Sequence, residues 1–443
     1  MRFVRIKRHL TSFQIIILGF IAVVLLGALL LMLPVSSRNG DVTPFNETLF
    51  TSVSAACVTG LVVRDTASYW SPFGQAVILT LIQIGGIGVV TVAVSLAMLS
   101  GRKISLMQRS TVQESINASK AGGIVRLTRF IIRAVFAFEL LGALVMVGVF
   151  CKDFGARGIW MAVFHSVSAF CNAGFDIMGT TQMPFASLTA YAGNAVVNIA
   201  VIFLIVIGGI GFLTWNDIKT NRCRFRYYTM QSKVILATSA ILIIIPAVYF
   251  YFFEFTEYSA GERILSSLFQ AVTTRTAGFN TTDLTKLTGA GKCIFIALML
   301  VGGSPGSTAG GMKTTTLAVL FATMIAVFRR KSAPHFFGRR INDEIIKKAA
   351  AILMMYIMLF VGGALVISVA ENLPIGVCLF ETASAVGTVG LSLGLTPELG
   401  IISQCILMIL MFIGRVGGLT IIFAAVSKNK ASARFPQENI TVG

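Results

Sequence analysis

Long apolar runs constrain what this chain can fold into more than any other feature. A transmembrane helix needs about 20 apolar residues. Runs of about that length lie at residues 13–34, 75–99, 128–150, 192–214, 232–253, 349–370 and 401–426. Charged residues make up 12% of the chain, which is about half of what a soluble domain carries. The sequence therefore predicts an all-α membrane protein with many spans.

Basic residues alternate with the apolar runs and predict the orientation of the chain. Much of the net charge of +18 comes from clusters at residues 2–8, 102–133, 219–233, 329–348 and 428–434. Such clusters beside apolar spans mark the cytoplasmic side of a membrane, which explains their spacing better than binding of nucleic acid does. We therefore expect a multi-pass protein of the cell membrane with both termini in the cytoplasm. The first run follows a basic segment, as in a signal peptide, but no A-x-A site follows it, so a retained first span is expected.

Four shorter segments resemble one another and predict an internal repeat. They read FTSVSAACVTGL from 50 to 61, FHSVSAFCNAGF from 164 to 175, FQAVTTRTAGF from 269 to 279 and FETASAVGTVGL from 380 to 391. Each has a Phe, a Ser or Thr four residues later, and a small or polar pair before a Gly. An even number of crossings must separate two cytoplasmic clusters. Each short segment is therefore predicted to enter the membrane from outside and return.

The repeats divide the chain into four units of the same orientation. We expect repeat one at 1–100 with pore loop 45–61, repeat two at 101–220 with pore loop 158–175, repeat three at 221–330 with pore loop 262–279 and a broken second span at 302–316, and repeat four with the tail at 331–443 with pore loop 375–391. The second spans of repeats one, two and four, which contain IGGIGVVT, IGGIGFLT and IGRVGGLT, are expected to continue as ordinary helix. The predicted fold has eight spanning helices and four re-entrant pore helices around a pseudo-fourfold pore.

Glycines at matched positions of the four segments indicate a filter for cations. Non-helical backbone at membrane depth is tolerated only where other protein groups or a water-filled cavity provide hydrogen-bond partners for its N–H and C=O groups. Parallel repeats around one axis can aim carbonyl oxygens at that axis, and rings of carbonyls replace the hydration shell of a monovalent cation. A packing role is usual for a single glycine in a membrane helix, but it does not explain four matched contexts. The predicted filter consists of Val58, Thr59, Gly60, Asn172, Ala173, Gly174, Thr276, Ala277, Gly278, Thr388, Val389 and Gly390.

The stretch GGSPGSTAGGMKTTT, residues 302–316, falls where the second span of repeat three should run. It is one residue away from the phosphate-binding pattern G-x-x-x-x-G-K-[ST], but Met312 intrudes before Lys313 and an apolar span precedes it in place of a strand. A flexible polar loop beneath a pore can obstruct it, so we interpret the stretch as a gate. The predicted gate residues are Gly303, Ser304, Gly306, Ser307, Thr308, Gly310, Gly311, Lys313 and Arg415. A strut that satisfies carbonyl groups is the alternative role for Arg415.

Other charged residues and the cysteines fall in apolar or pore segments. Arg275 lies three residues before a filter glycine, and we expect a structural ion pair there, with Glu381 as a candidate partner. Glu139 lies in mid-span, and the sequence assigns it no partner. The seven cysteines form no C-x-x-C pair, so we interpret them as core residues and not as metal ligands or disulfides.

The four filter-like stretches and the broken third repeat resemble the Trk/Ktr/HKT superfamily of potassium transporters. The fourth repeat, with SAVGTVGLSLGLTPEL and then FIGRVGGLT, is most similar to Ktr-type membrane subunits of bacteria. The resemblance covers residues 12–443. It implies K+ at the filter carbonyls, an intramembrane gate, and a homodimer with one pore in each subunit. It also implies a cytosolic ring of regulatory subunits, which would carry the ATP/ADP or NAD(H), because this chain has no nucleotide-binding motif of its own.

The expected function is potassium uptake without enzymatic activity, and the residues do not decide whether it depends on sodium. The alternative is a cation carrier that works by alternating access, since carriers bind their substrate at broken helices. Inverted repeats are common in carriers, whereas the repeats here are parallel. An ATP-driven pump subunit is a weaker alternative, because the sequence has no credible nucleotide or aspartyl-phosphate site.

Overall fold

The computed structural model describes residues 11–100, 104–116, 123–222, 224–418 and 420. The α-helices of these residues are α1 (Ser12–Leu31), α2 (Phe45–Ala56), α3 (Pro72–Ile87), α4 (Val89–Leu99), α5 (Leu106–Ser115), α6 (Ile124–Phe154), α7 (Arg157–Phe170), α8 (Ala195–Gly209), α9 (Phe212–Asn221), α10 (Met230–Phe253), α11 (Ala260–Thr273), α12 (Gly289–Leu300), α13 (Thr314–Phe328), α14 (Asp343–Glu371), α15 (Ile375–Gly387) and α16 (Ile401–Val416). One short antiparallel hairpin, β1 (His335–Phe336) with β2 (Arg339–Arg340), connects α13 to α14. The basic clusters predicted at residues 2–8 and 428–434 lie outside the described residues.

Four helices of the described chain, α1, α6, α10 and α14, are individually long and apolar enough to cross a membrane. Each of them packs along the short helix that follows it, so that α1 pairs with α2, α6 with α7, α10 with α11, and α14 with α15. Side-chain caps fix where two of the long helices begin. Thr11 and Gln14 form a capping box at α1, and the Asn342 side chain accepts a hydrogen bond from the Glu344 N–H at α14 (3.0 Å).

The second helices of predicted repeats one and two are bent, so the expectation of ordinary helix there is wrong. The axes of α3 and α4 meet at 95°, and those of α8 and α9 at 96°. The bends lie at Gly88, with φ of 94°, and at Gly211, with φ of 92°, a conformation that glycine adopts at little cost. Apolar composition continues through both bends, which is why hydropathy alone missed them. With each bent pair counted as one span, the described residues contain up to six spans, and the total of eight stays a prediction.

The corresponding helices later in the chain are interrupted as well. α12 ends at Leu300 and α13 begins at Thr314, with residues 301–313 between them as a loop. This 301–313 loop contains most of the predicted gate. α16 ends at Val416, and Gly417 follows with φ of 88°, so the ordinary helix expected there in repeat four is interrupted too. The helix is thus interrupted within the predicted 302–316 stretch, with α13 resuming at Thr314, and the assignment of this stretch to the second span of a third repeat stays a prediction.

The short helices lie inside the molecule and the long helices outside. Phe50, Phe164, Phe269 and Phe380, which begin the four repeated stretches, are each at most 1% exposed. In contrast, the long helices carry exposed apolar side chains, among them Leu140, Ile245 and Met358. Exposed apolar patches are rare on soluble monomers, whereas a membrane helix buries its backbone polar groups and turns apolar side chains to lipid. The membrane therefore surrounds α1, α6, α10 and α14, with the short helices at the centre.

Candidate functional site

The four repeated stretches share one backbone conformation just after the short helices. In each stretch the glycine has positive φ, the residue two positions earlier also has positive φ, and the residue between them does not. The φ angles are 53° at Val58 and 91° at Gly60, 58° at Asn172 and 68° at Gly174, 72° at Thr276 and 81° at Gly278, and 52° at Thr388 and 96° at Gly390. Positive φ is uncommon outside glycine. Its recurrence at the matched residues therefore shows that the four stretches repeat the same backbone geometry.

The glycines of these stretches lie side by side and close a ring in chain order. Each glycine abuts the carbonyl oxygen of the residue before the next glycine. A Cβ atom added to Gly60 would lie 2.5 Å from the Ala173 oxygen, one added to Gly174 would lie 2.7 Å from the Ala277 oxygen, and those on Gly278 and Gly390 would collide with the Val389 and Thr59 oxygens. Since real Cβ atoms essentially never come closer than 3.0 Å to such atoms, any side chain here would displace backbone. The structure thus brings all four predicted filter stretches together.

A Ser or Thr of each short helix forms a hydrogen bond to the backbone of the stretch that follows it, a role that was not predicted from the sequence. These residues occupy the last position of the F-x-x-x-S/T pattern, which was the available signal. Ser54 and Ser384 accept hydrogen bonds from the Gly60 and Gly390 N–H groups (3.1 and 3.0 Å), while Ser168 and Thr273 donate to the Phe175 and Phe279 oxygens (2.7 and 2.6 Å). All four side chains are buried. The stretches are therefore fixed by their own helices, and no partner chain is needed for that.

The short helices also point their C-terminal ends at the ring. The α2, α7, α11 and α15 helices end at Ala56, Phe170, Thr273 and Gly387, within six residues before each glycine. The C-terminus of a helix carries a partial negative charge of roughly half an electron. Four such ends converge on one point, which creates a potential that favours a cation there.

A cavity of about 830 Å³ opens onto the ring, and all four glycines line it. Its wall also contains the carboxyl groups of Asp65, Asp176, Asp283 and Glu398. Hydrogen bonds from Thr285 lower the pKa of Asp283, whereas burial raises the pKa of Asp176 to about 7. Acidic walls attract cations and raise their local concentration. We call this cavity the vestibule; most of its lining follows the glycines in the chain, whereas the ends of the short helices precede them.

The 301–313 loop lies on the other side of the ring, against the ends of the short helices. The Thr308 hydroxyl donates to the oxygen of Phe170, the last residue of α7 (3.0 Å). The Ser304 N–H donates to the Gly209 oxygen (2.9 Å), and the Gly311 N–H donates to the Gly414 oxygen (3.1 Å). Most of the loop is buried. It is therefore a packed plug under the ring and is attached to the ends of α8 and α16.

The remaining predicted gate residues fall into the same packed region. Three loop glycines lie in close contact with neighbouring residues: Gly303 with Ala309, Gly306 with Ile116, and Gly310 with Thr388. Two hydrogen bonds end on loop carbonyls, from the Phe212 N–H to the Gly306 oxygen and from the Ser307 hydroxyl to the Ser304 oxygen. Lys313 donates from Nζ to the Ala309 and Gly310 oxygens (2.7 and 3.3 Å). The loop thereby ties itself together through its own lysine. A helix, α12, leads into it in place of the strand that a phosphate-binding loop requires.

Arg415 connects the loop to two other parts of the chain. Its guanidinium donates to the Thr308 oxygen in the loop and to the Gly85 and Gly86 oxygens near the end of α3. Arg415 and Lys313 both line a cavity of about 230 Å³ beneath the loop. The alternative role predicted for Arg415 was a strut that satisfies carbonyl groups, and its observed hydrogen bonds to three carbonyl oxygens match that role. Because one of the three bonded carbonyls belongs to the loop, the strut also restrains the loop.

The structure supplies partners for the other charged residues and corrects one expectation. Arg275 donates to the Ser239 hydroxyl (3.1 Å), and Glu381 accepts from Thr396 (2.8 Å) and Ser392. No ion pair of the described residues contains Arg275 or Glu381, so the structural ion pair expected for Arg275 is wrong. Each charge is satisfied at least in part by neutral hydroxyl groups. Glu139 accepts from the Gln83 amide (3.1 Å).

Comparisons with known proteins identify the family of this chain. The family described as "TrkH: Cation transport protein" matches residues 6–435. The "Potassium/sodium uptake protein NtpJ" of Enterococcus hirae is 38% identical, over 99% of this chain and 99% of its own. The "Ktr system potassium uptake protein B" of Bacillus subtilis is 36% identical, over 97% and 96%. The crystal structure of the potassium transporter TrkH from Vibrio parahaemolyticus is similar with a TM-score of 0.74 at 16% identity, over 96% of this chain and 87% of its own. This chain belongs to the TrkH family of cation transport proteins and is a transporter of the Trk/Ktr type.

Proposed function

We propose that this chain is the ion-conducting subunit of a Ktr-like system that takes up potassium across the bacterial cell membrane. The observation that carries the proposal is the ring of four glycines, closed in chain order at the floor of an acidic vestibule. The names of the relatives from E. hirae and B. subtilis both include potassium uptake, which supports potassium as the ion. In this proposal K+ is the transported ion, this chain holds no cofactor of its own, and it catalyses no reaction.

The proposed filter is formed by the three residues that end at each glycine: 58–60, 172–174, 276–278 and 388–390. Residues of alternating positive and negative φ can turn successive carbonyls toward one side of the strand, and carbonyl rings substitute for the hydration shell of K+. The converging helix ends lower the energy of a cation at this depth. The acidic vestibule supplies cations to the filter from outside.

The proposed gate is the 301–313 loop together with Arg415. The loop lies between the ring and the small cavity that contains Arg415 and Lys313, so an ion leaving the filter meets it first. Helix-breaking glycines allow the loop to change shape at lower cost than a helix would. Opening requires the Arg415 bonds to Thr308 or to α3 to break, which gives a regulator a defined contact to act on.

The proposed architecture is four repeats of the same orientation, with boundaries at 1–100, 101–220, 221–330 and 331–443. The four hairpins of a long and a short helix support it. Eight spans, four pore helices and cytoplasmic termini follow from this arrangement and from the basic clusters.

The proposed assembly is a homodimer with a pore in each subunit, joined on its cytoplasmic side by a regulatory ring that binds ATP/ADP or NAD(H). The word "system" in the B. subtilis relative's name supports further subunits. Whether uptake depends on sodium is part of the test below, since the E. hirae relative is named for both ions.

An alternating-access carrier is the second candidate, because the bends at Gly88 and Gly211 give this chain broken helices. Carriers place substrate at such breaks. Here, however, the breaks lie beside the 301–313 loop, while the ring lies on the short helices. The ring therefore supports a pore and gives the broken helices a role at the gate.

The experiment is potassium uptake by cells that lack their own potassium systems and carry this chain, with and without a candidate regulatory subunit. We expect growth and uptake at low external potassium, increased by the regulator. Sodium is varied independently at each potassium concentration. Uptake that saturates with a fixed ratio of sodium to potassium would favour the carrier, and absence of uptake in well-expressing cells would contradict the proposal.

A further inference from the structure

An apolar groove of about 790 Å³ lies between α3 and α4 on one side and α6 and α7 on the other. Ile84 and Leu96 form part of its first wall, and Phe136, Leu140 and Val163 form part of the second. Leu140 and Phe136 are exposed. The groove therefore opens toward the surroundings of the protein, on the face that the fold assigns to lipid, and it does not belong to the vestibule or to the gate.

Two arginines are part of the groove lining. Arg129 and Arg133 are four residues apart on α6, and both are exposed. Residues four apart on a helix are neighbours on one face. Neither arginine forms an ion pair with a carboxylate of the described residues. The acidic residue of the lining, Glu139, accepts from Gln83 instead. The groove thus carries two positive charges that no carboxylate of the described residues neutralises, and an anion would pair with them.

The dimensions and the position of the groove suit one leaflet of a bilayer. From Arg129 to Ala143, both of which line the groove, α6 rises about 21 Å at 1.5 Å per residue. One leaflet, taken as half of a bilayer of about 40–45 Å with its headgroup regions, is about 20–22 Å thick. The arginines belong to the basic cluster at 102–133, which the charge bias assigns to the cytoplasmic side.

We propose that the groove binds an anionic phospholipid of the cytoplasmic leaflet. The phosphate lies between Arg129 and Arg133, and one acyl chain lies along α3, α4 and α6. Guanidinium groups pair with phosphate oxygens in a planar, two-pronged geometry, and basic pockets between membrane helices favour acidic head groups. A soluble anion would leave the apolar wall in contact with water, whereas a lipid covers both parts of the site. This inference goes beyond ion transport and does not depend on the filter or the gate.

The test measures binding of phosphatidylglycerol and phosphatidylcholine to the purified full-length chain by native mass spectrometry over a lipid titration. We expect phosphatidylglycerol to bind at least tenfold more tightly, and the double variant Arg129→Gln, Arg133→Gln to lose that preference. The charge-matched control is the double variant Arg339→Gln, Arg340→Gln, which changes exposed arginines outside the groove and should bind as the wild type does.

A second pair of variants tests the acyl part of the site. Leu140→Trp should weaken the binding of both lipids, because the larger side chain blocks the groove. Leu144→Trp should leave binding unchanged, because Leu144 is equally exposed at 62% but lies outside the groove. Equal affinity for the two lipids would overturn the proposal, as would an unchanged preference in the Arg129 and Arg133 double variant. If that variant does not fold, loss of lipid in Leu140→Trp but not in Leu144→Trp supports the site. A Leu140→Trp variant that changes the oligomeric state and keeps its lipid overturns it, because the occupant is then protein.

Discussion

At the scale of single residues, the ring depends on the absence of side chains. Each of the four glycines has positive φ and a neighbouring carbonyl oxygen where its Cβ would be. These positions were predictable from the sequence because the F-x-x-x-S/T context repeats. The role of the Ser and Thr was not predictable, since hydrogen bonds such as the one from the Gly60 N–H to the Ser54 hydroxyl depend on how the chain turns after the helix.

Replacing a ring glycine should reduce the preference for potassium. In Gly60→Ser or Gly390→Ser the new side chain must displace a carbonyl of the neighbouring stretch, and overpacking of this kind costs about 1–3 kcal/mol. We expect the ratio of potassium to sodium uptake to fall about tenfold or more, since about 1.4 kcal/mol corresponds to a factor of ten. Uptake of both ions is measured over a concentration series.

The control for the glycine variants is Gly148→Ser, because nothing lies within 4 Å of a Cβ added there. It should transport as the wild type does. An unchanged ratio in both ring variants, at equal expression, would contradict a filter at these positions.

Removing the Arg415 guanidinium should release the loop. In Arg415→Gln the bonds to the Thr308, Gly85 and Gly86 oxygens are lost or weakened, and a hydrogen bond to a charged group contributes about 1.5–3 kcal/mol. We expect potassium flux per folded protein to rise about tenfold in the absence of a regulator. Arg340→Gln, at an exposed position, is the control. Flux at the wild-type level would leave Arg415 with a structural role only.

At the scale of elements, the helix that leads away from the ring is interrupted after each of the four stretches, and the interruptions differ in length. Gly88 and Gly211 produce sharp bends, whereas the third helix opens into the 301–313 loop. The loop was predictable because Gly, Ser and Thr interrupt the apolar run there. The bends were not, because IGGIG is apolar throughout and gives no sign of which glycine turns.

Shortening the loop should raise flux without changing ion preference. Deletion of residues 306–312 removes most of the plug, including the Thr308 contacts with Phe170 and Arg415, and leaves the ring residues in place. We expect higher potassium flux per membrane-inserted protein, less dependence on a regulator, and a wild-type ratio of potassium to sodium. Deletion of the equally long segment 332–338, which contains β1 and the turn of the hairpin, is the control. A lower or unchanged flux in well-expressed deletions of 306–312 would show that the loop is not a gate.

At the scale of the whole molecule, the sequence predicted the membrane class, the four matched segments and their convergence. It failed where contacts join distant parts of the chain. The ion pair expected for Arg275 is replaced by a bond to Ser239, which lies on α10. The connection of Arg415 to α3 spans more than 300 residues of sequence. Such contacts follow from the packing of the repeats and leave no local pattern.

The proposed topology predicts where single cysteines can be labelled. Arg222→Cys and His335→Cys lie in segments assigned to the cytoplasm by the charge bias, so a membrane-impermeant thiol reagent should label them only after the cells are opened. The background variant lacks the native thiols, among which Cys293 and Cys405 are exposed. A cysteine at Asp41, between α1 and α2, is the control for outside labelling. Labelling of residue 222 or 335 in intact cells would contradict the orientation.

The most direct test of the central claim, that four stretches of one chain form a potassium-selective pore, is the reversal potential of the purified chain in a planar bilayer. With a potassium gradient and equal sodium on both sides, a selective pore should reverse near the potassium equilibrium potential, about 59 mV per tenfold gradient for a one-charge process. Gly60→Ser should shift the reversal toward zero, and Gly148→Ser should not. A wild-type reversal potential near zero, or one fixed by a sodium-to-potassium stoichiometry, would contradict the account.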